Sequence, residues 1–327
     1  MDFANILQSV PKLHIGVIGD FCLDVYWHAD MRRSELSRET PHFPLPIVEE
    51  RLSPGGAGNV AANLCALRPD AVPCIGLVGK DWRGSALLET LAAVGADTST
   101  LLASRDRVTN TYIKPLRKGL TDVVYEDPRL DFTNYTPTSP EDEHRLLQAL
   151  EQLAPKLEVL CVCDQMPFGC ITPAIRQRLS KLGEAGLNVV VDSRDHILEY
   201  SHVIIKPNAI EACRALNLPV TTKLAPLMEA APSLEKQTGK PVIITNGEQG
   251  CVLCENGACS HIPAINVTGE IDICGAGDTF LAAFACAIGT RAPLQTAAKL
   301  ACRASAITIR KLKTTGTATP EEILALT

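Results

Sequence analysis

The sequence predicts an α/β fold, with a mainly parallel central sheet carrying helices on both faces. Three observations point there. Short apolar runs recur along most of the chain, helical patterns separate them, and the runs end in acidic, amide or glycine residues. Hydrophobic residues make up 46% of the 327 positions, enough to fill the core such a fold needs. No linker, repeat or low-complexity tract divides the chain, so one domain over 1–327 is expected.

The elements follow in order. Residues 15–20, IGVIGD, form an unbroken apolar run that ends at Asp20 and reads as a buried strand. Val60 to Leu67 is helix-like, and Cys74 to Val78 is the next strand. The stretch 85–96 alternates as an amphipathic helix ending at Gly95. Strand 158–164 ends at Asp164. Helix 172–186 has Pro173 near its first turn and Gly186 after its last. Strands 187–192, 203–208 and 242–247 end at Asp192, Asn208 and Asn246-Gly247, and helices at 281–289 and 296–312 close the pattern. Two regions break this rhythm. Residues 22–50, with Pro41, Pro44 and Pro46, and residues 108–132 look like antiparallel strands and turns, and are predicted to form a small β-lid.

Composition narrows the function. Net charge is −6, the wrong sign for neutralising phosphates along a nucleic acid. The basic clusters Arg32/Arg33/Arg38 and Arg310/Lys311/Lys313 are small enough to be solvated faces or anchors for a small anion. No run of about 18 apolar residues suggests a membrane span, and the first residues lack a secretory pattern. The 13 cysteines are odd in number and many lie inside apolar runs, which suggests free thiols in a reducing, cytoplasmic setting. Cys251, Cys254, Cys259 and His261 could be zinc ligands. They also fit a hairpin turning at Asn256-Gly257.

Three segments carry chemistry. Asp272-Ile-Cys-Gly275-Ala276-Gly277-Asp278 precedes an apolar helix. Glycines at a helix start uncover backbone N–H groups that, with the helix dipole, attract an anion such as a phosphoryl group. A carboxylate there would repel that anion, so Asp278 makes sense as an acceptor of a hydroxyl proton. An Asp in this place is also an ordinary helix cap. The second segment, Pro54-Gly55-Gly56-Ala57-Gly58-Asn59, contains a G-x-G-x-x-A pattern at Gly56, Gly58 and Ala61. A dinucleotide fingerprint needs a hydrophobic strand just before it. Glu50 to Pro54 does not offer one, so close approach of backbone and Asn59 to a polyol is the alternative. In the third, Asn208 and Glu211 lie three apart at a strand-to-helix junction, as in a capping box or as groups that orient Mg²⁺-bound water. No G-x-x-x-x-G-K-[ST] occurs, which excludes a P-loop.

The order of these pieces (G-D, GGxGN, N-x-x-E, T-N-G-x-x-G from Thr245 to Gly250, then GAGD) resembles the PfkB family of carbohydrate kinases, over about residues 15–320. Within it, Gly19-Asp20, Leu23-Asp24, Tyr26-Trp27, Pro54 to Ala57, Arg129 to Phe132 and Lys311-Leu312 are most similar to bacterial D-glycero-D-manno-heptose 7-phosphate kinase domains.

The resemblance implies a ribokinase-like three-layer sandwich that transfers the γ-phosphoryl group of ATP to a sugar or sugar-phosphate hydroxyl. Asp278 would be the base, with Gly275, Ala276 and Gly277 as the anion hole. Asp20, Asp24, Gly55, Gly56 and Asn59 would hold sugar hydroxyls, and Lys114, Arg117 or Arg129 a sugar phosphate. Asn208 and Glu211 would organise phosphates and Mg²⁺, the metal through water at Glu211. Thr245, Gly247 and Gly250 would line the ATP site, and Asp272 would begin a loop that binds a monovalent cation such as K⁺ in several relatives. It also implies a homodimer through the lid. The chain departs from the family at Ile273, Cys274 and Cys302, and the D-P-K of heptose kinases reads Asp192-Ser193-Arg194. A ribose, fructose or nucleoside kinase of the same family, or a sugar- or nucleotide-binding sensor without catalysis, are the alternatives.

Overall fold

The computed structural model describes residues 2–121, 123–312 and 314–326. Its larger sheet has nine strands. In spatial order they are Ala258–Ile262, Cys251–Glu255, Val242–Thr245, Ile204–Ile205, Asn188–Ser193, Val159–Asp164, Ile15–Gly19, Cys74–Gly79 and Leu101–Ser104. The first two pair antiparallel and the rest run parallel. Side chains alternate across a strand, so each strand feeds two cores. Val17, Cys161 and Val190 pack beneath helices Ala57–Leu67, Ala276–Gly289 and Leu294–Thr308. Ile18, Val162 and Val191 pack on the other face, against Pro140–Leu153, Pro173–Glu184 and Leu224–Thr238. Parallel strands covered on both faces have to be apolar throughout, as Val159–Asp164 is except at its end.

Local signals set the helix starts. Ser139 and Thr172 cap helices whose first residues are Pro140 and Pro173. Helix Ala276–Gly289 begins five residues earlier than its apolar pattern suggested, because its first turn is built on glycine and aspartate. The last long helix ends at Thr308 rather than 312. Among the described residues, no helix is long and apolar enough to cross a membrane.

A second sheet of five strands stands beside the first. It contains Ile47–Gly56, Phe21–Asp30, Thr111–Lys118 and Val124–Glu126 in order, with Leu130–Phe132 also paired to Thr111–Lys118. Residues 34–46 carry no strand. The all-antiparallel expectation needs correction, since Phe21–Asp30 and Thr111–Lys118 pair in parallel, from Leu23↔Thr111 to Asp30↔Lys118. Between them the chain makes a long excursion through the larger sheet, and such a crossover returns a strand in the same direction. Glu50 to Pro54 belongs to a strand, but not to the hydrophobic one a dinucleotide site needs. That strand is exposed along its outer half and pairs antiparallel, unlike the buried strand of a dinucleotide site. Asp20 alone separates the strand of one sheet from that of the other. Asp122 and Lys313, part of the expected lid and basic cluster, lie outside the described residues.

The cysteine-rich stretch is a hairpin, Cys251–Glu255 with Ala258–Ile262, and its turn has positive φ at both Asn256 and Gly257. Cys254 and Cys259 face each other across it as a disulfide, where free thiols were expected. His261 bonds the Gln249 carbonyl at 2.6 Å. Among the described residues, no three His, Cys, Asp or Glu side chains gather to hold a metal ion.

Candidate active site

Two cavities meet at the carboxyl ends of the parallel strands, of about 770 Å³ and 260 Å³. Asn208, Glu211, Thr245, Gly247 and Gly250 line the larger one, as do Ala276 and Gly277. Asp24, Gly55, Gly56, Asn59, Lys114 and Arg129 line the smaller one. Gly275 and Asp278 line both. Sheets of this kind place ligands at this edge, because the loops after the strands leave crevices between them.

The junction is built by two helix starts packed together, Ala57–Leu67 and Ala276–Gly289. Thr279 Oγ1 donates to Asn63 Oδ1 at 2.8 Å, and Asn63 Nδ2 in turn donates to the carbonyl and Oδ1 of Asn59. With its Oδ1 engaged, Asn59 presents Nδ2, which donates to Asp278 Oδ2 at 2.7 Å. Gly275 adopts φ +79°, and a Cβ there would lie 2.5 Å from Asn59 Nδ2, so only glycine fits. The Ala276 N–H donates to the Ile273 carbonyl at 3.2 Å and is not free for an anion, contrary to expectation. The N–H groups of Gly277 and Asp278 have no partner among the described residues and sit at the first turn, where amides stay uncovered.

Asp278 is half-buried at the cavity floor. Burial pushes its pKa up to about 7, with Asp192 and Asp24 adding to the rise and Asn59 and Lys206 opposing it. Near neutrality the carboxyl can therefore both take and release a proton.

In the smaller cavity the buried Asp24 has no hydrogen-bond donor among the described residues. Burial raises its pKa, held back by Lys114, Arg129 and Arg51. Its open lone pairs suit hydroxyl groups. Gly55 makes room for them, since a Cβ there would come within 2.7 Å of Asp24 Oδ2. Lys114 Nζ donates to Tyr26 Oη at 3.2 Å and lies over that ring. Arg129 is held by both oxygens of Asp131, at 2.6 and 2.7 Å, above the Tyr112 ring. Arg117 pairs with Asp127 and lines neither cavity.

Asp20, expected at sugar hydroxyls, is placed differently. One carboxylate oxygen accepts the N–H groups of Gln165 and Met166, each at 2.9 Å, and the other accepts that of Cys170 at 2.8 Å. It lines neither cavity. Burial outweighs these bonds and lifts its pKa to about 6.

In the larger cavity Asn208 and Glu211 form a reciprocal capping box, and both line the cavity. Burial raises the Glu211 pKa, reinforced by Asp192. Asp272 accepts the Cys274 N–H at 3.0 Å and lines neither cavity.

Some residues at the site were given no role from the sequence. Buried Lys206 bonds Asp192 at 3.0 Å, and both line the larger cavity. Burial pulls the Lys206 ammonium down, but Asp192 and Glu211 outweigh it and its pKa ends above the ordinary value. A lysine inside the apolar run VIIKPN was the available signal. Gln165 and Arg194, at the ends of adjacent strands, also line both cavities.

The chain is similar to known proteins. The chain is 32% identical over 326 residues to the bifunctional protein HldE of Trichlorobacter lovleyi, covering 98% of this chain and 64% of that protein. It is 33% identical over 312 residues to the protein of the same name from Gluconobacter oxydans, covering 93% and 62%. The chain thus spans somewhat less than two thirds of these relatives. Among solved structures, phosphofructokinase-2 from Escherichia coli in complex with fructose-6-phosphate superposes with a TM-score of 0.73 at 17% identity, covering 96% of this chain and 97% of that one. Arabidopsis thaliana ribokinase complexed with ribose and ATP superposes with a TM-score of 0.70 at 19% identity, covering 96% and 98%. These likenesses establish the ribokinase-like fold. The model of the pfkB family carbohydrate kinases matches residues 23–322, and the chain belongs to that family.

Proposed function

We propose that this sugar kinase phosphorylates a heptose 7-phosphate, with ATP in the larger cavity and the sugar in the smaller one. The observation that carries the reading is the position of Asp278, on the boundary of both cavities with its pKa near neutrality. The acceptor hydroxyl gives its proton to Asp278 as its oxygen bonds the γ-phosphorus. The bond from that phosphorus to the bridging oxygen breaks, and ADP leaves with the electron pair. The N–H groups of Gly277 and Asp278 and the dipole of helix Ala276–Gly289 stabilise the negative charge. Asp24 and Asn59 orient hydroxyls, and Lys114 and Arg129 supply positive charge for a phosphate already on the sugar. Lys114 has no carboxylate within ion-pair distance among the described residues, while a substrate anion at Arg129 has to compete with Asp131.

Mg²⁺ fits the residues at the larger cavity. Glu211 offers a half-buried carboxylate there, and the lack of a three-ligand cluster among the described residues matches an ion that keeps its waters and binds mainly to phosphates. Such an ion would neutralise phosphate charge, with Glu211 holding its water shell and Asn208 fixing Glu211.

The heptose assignment rests on the residues around the sugar cavity that resemble heptose 7-phosphate kinases, Asp24, Gly55, Gly56 and Arg129 among them. The test is ADP release with ATP and Mg²⁺ across a panel of heptose 7-phosphate, fructose 6-phosphate, ribose, fructose and nucleosides. Heptose 7-phosphate is expected to give the highest kcat/KM. A higher value for another member moves the substrate, and no release with any member removes the kinase assignment. A homodimer through the second sheet is part of the proposal, supported by the exposed apolar Ile47, Val48, Tyr125 and Leu130 on that sheet. A monomer by light scattering at micromolar concentration would remove it.

A further inference from the structure

Among the described residues, four line both cavities: Gln165, Arg194, Gly275 and Asp278. Gly275 and Asp278 belong to the glycine-rich turn. Gln165 and Arg194 come from the ends of the neighbouring strands Val159–Asp164 and Asn188–Ser193. Arg194 is the one cation of the four. Of the other cations lining the cavities, Lys206 is paired with Asp192 and Arg129 with Asp131, while Lys114, which lines only the smaller cavity, bonds Tyr26 Oη. Arg194 makes no ion pair among the described residues. Among the described residues its side chain makes one hydrogen bond, from Nη2 to Gln165 Oε1 at 3.5 Å, the limit of such a bond.

The backbone at Arg194 is held firmly, although its head group is exposed. Its N–H donates to the Asp164 carbonyl at 3.0 Å. The buried Asp164 carboxylate in turn accepts from Tyr200 Oη at 2.8 Å, Ser193 Oγ at 3.1 Å and Arg176 Nη1 at 3.2 Å. The Arg194 charge reaches both sides of the junction, opposing the upward pKa shifts of Tyr112 in the smaller cavity and of Glu211 in the larger.

We propose that Arg194 is a catalytic residue that bonds the phosphoryl group in flight, on the boundary it shares with Asp278. The inference rests on the phosphoryl-transfer reading above. As the bond to the bridging oxygen breaks and the bond to the acceptor oxygen forms, charge spreads over three equatorial oxygens. The amides of Gly277 and Asp278 reach that group from the turn. A guanidinium from the adjacent strand end adds a planar fork of donors. An unpaired arginine can give those donors without first leaving a carboxylate.

The test compares Arg194→Ala and Arg194→Lys with the parent protein in two assays. In steady-state turnover with ATP and the best sugar of the panel, Arg194→Ala is expected to lower kcat by about 10²–10³-fold, with KM values for ATP and sugar within a few-fold. Added guanidinium ion should restore part of the loss, and Arg194→Lys should recover only a fraction. In calorimetry, affinity for ADP with Mg²⁺ and aluminium fluoride, a mimic of the transferring group, should fall in both variants while affinity for a non-hydrolysable ATP analogue holds. An unchanged kcat with a raised KM for a sugar phosphate would make Arg194 a ground-state anchor for the acceptor and overturn the proposal. So would equal losses for the two nucleotide ligands, or a parent protein that does not prefer the mimic. If no sugar is turned over, the kinase reading fails on the first assay, while the second still decides Arg194.

Discussion

Asp20 and Asp278 are two Gly-Asp dipeptides that the sequence makes look alike, and the folded chain treats them in opposite ways. Asp20 follows Gly19 at a strand end, and three backbone N–H groups from 165–170 occupy both of its oxygens. Asp278 follows Gly277 at a helix start, receives one side-chain bond from Asn59, and otherwise faces the two cavities. Burial lifts both pKa values, to about 6 and about 7. The difference teaches that the environment which shifts a carboxyl does not by itself make it reactive. A carboxylate whose lone pairs are taken by backbone donors organises a loop, whereas one with open lone pairs can accept a proton.

The comparison breaks most visibly in turnover. Asp278→Asn removes the proposed base and is expected to lower kcat by about 10²–10⁴-fold, with ATP affinity kept, as measured by ADP release and calorimetry. Its melting temperature should hold or rise, because an amide carries no charge to desolvate. A variant with near-parent turnover would show that the proton goes elsewhere. Asp20→Asn should act on the fold instead. One of its two acceptor oxygens becomes a donor facing backbone N–H groups, so a loss of about 1–3 kcal/mol in urea unfolding is expected, with turnover changed less than tenfold. A turnover loss as large as that of Asp278→Asn, without loss of stability, would place Asp20 in the chemistry.

Acidity sharpens the same contrast. As the proposed base, Asp278 has to be ionised, so kcat/KM should fall about tenfold per pH unit below about 7. A profile flat down to pH 5 would separate that limb from Asp278. For Asp20 the sign concerns stability. Its folded pKa, about 6, lies above the unfolded value near 4. The folded state therefore holds the proton more tightly, and this carboxyl's contribution to stability falls as pH rises between the two values, then levels off. Asp20→Asn should flatten that part of the stability curve.

Much of the architecture was legible before any coordinates. The apolar runs marked most strands of the larger sheet, and Pro at a first turn with Thr before it marked helix Pro173–Glu184. The glycine-rich turn before Asp278 and the spacing of Asn208 and Glu211 were legible because caps and tight turns depend on neighbours three or four residues away. The parallel pairing of Phe21–Asp30 with Thr111–Lys118 was not, because the excursion that forces it occupies some eighty intervening residues and leaves no local trace. Lys206 was half-legible. A charge in an apolar run has to find a partner, but nothing nearby in the chain named Asp192.

The sequence by itself determined the alternation of strands and helices, the two glycine-rich turns, and the carboxylates, amides and cations stationed at the strand ends. Local backbone preferences and side-chain periodicity act over a few residues, and the amino-acid order carries them directly. Tertiary structure alone decided which carboxylate faces the junction and which is sealed by amides. It also decided that Asn59 turns its Nδ2 to Asp278, 219 residues away, and that Arg194 stands beside both cavities with no ion pair among the described residues. Those outcomes follow from hydrogen-bond donors and acceptors meeting only after the sheet is assembled, where each lone pair goes to the nearest group that can use it.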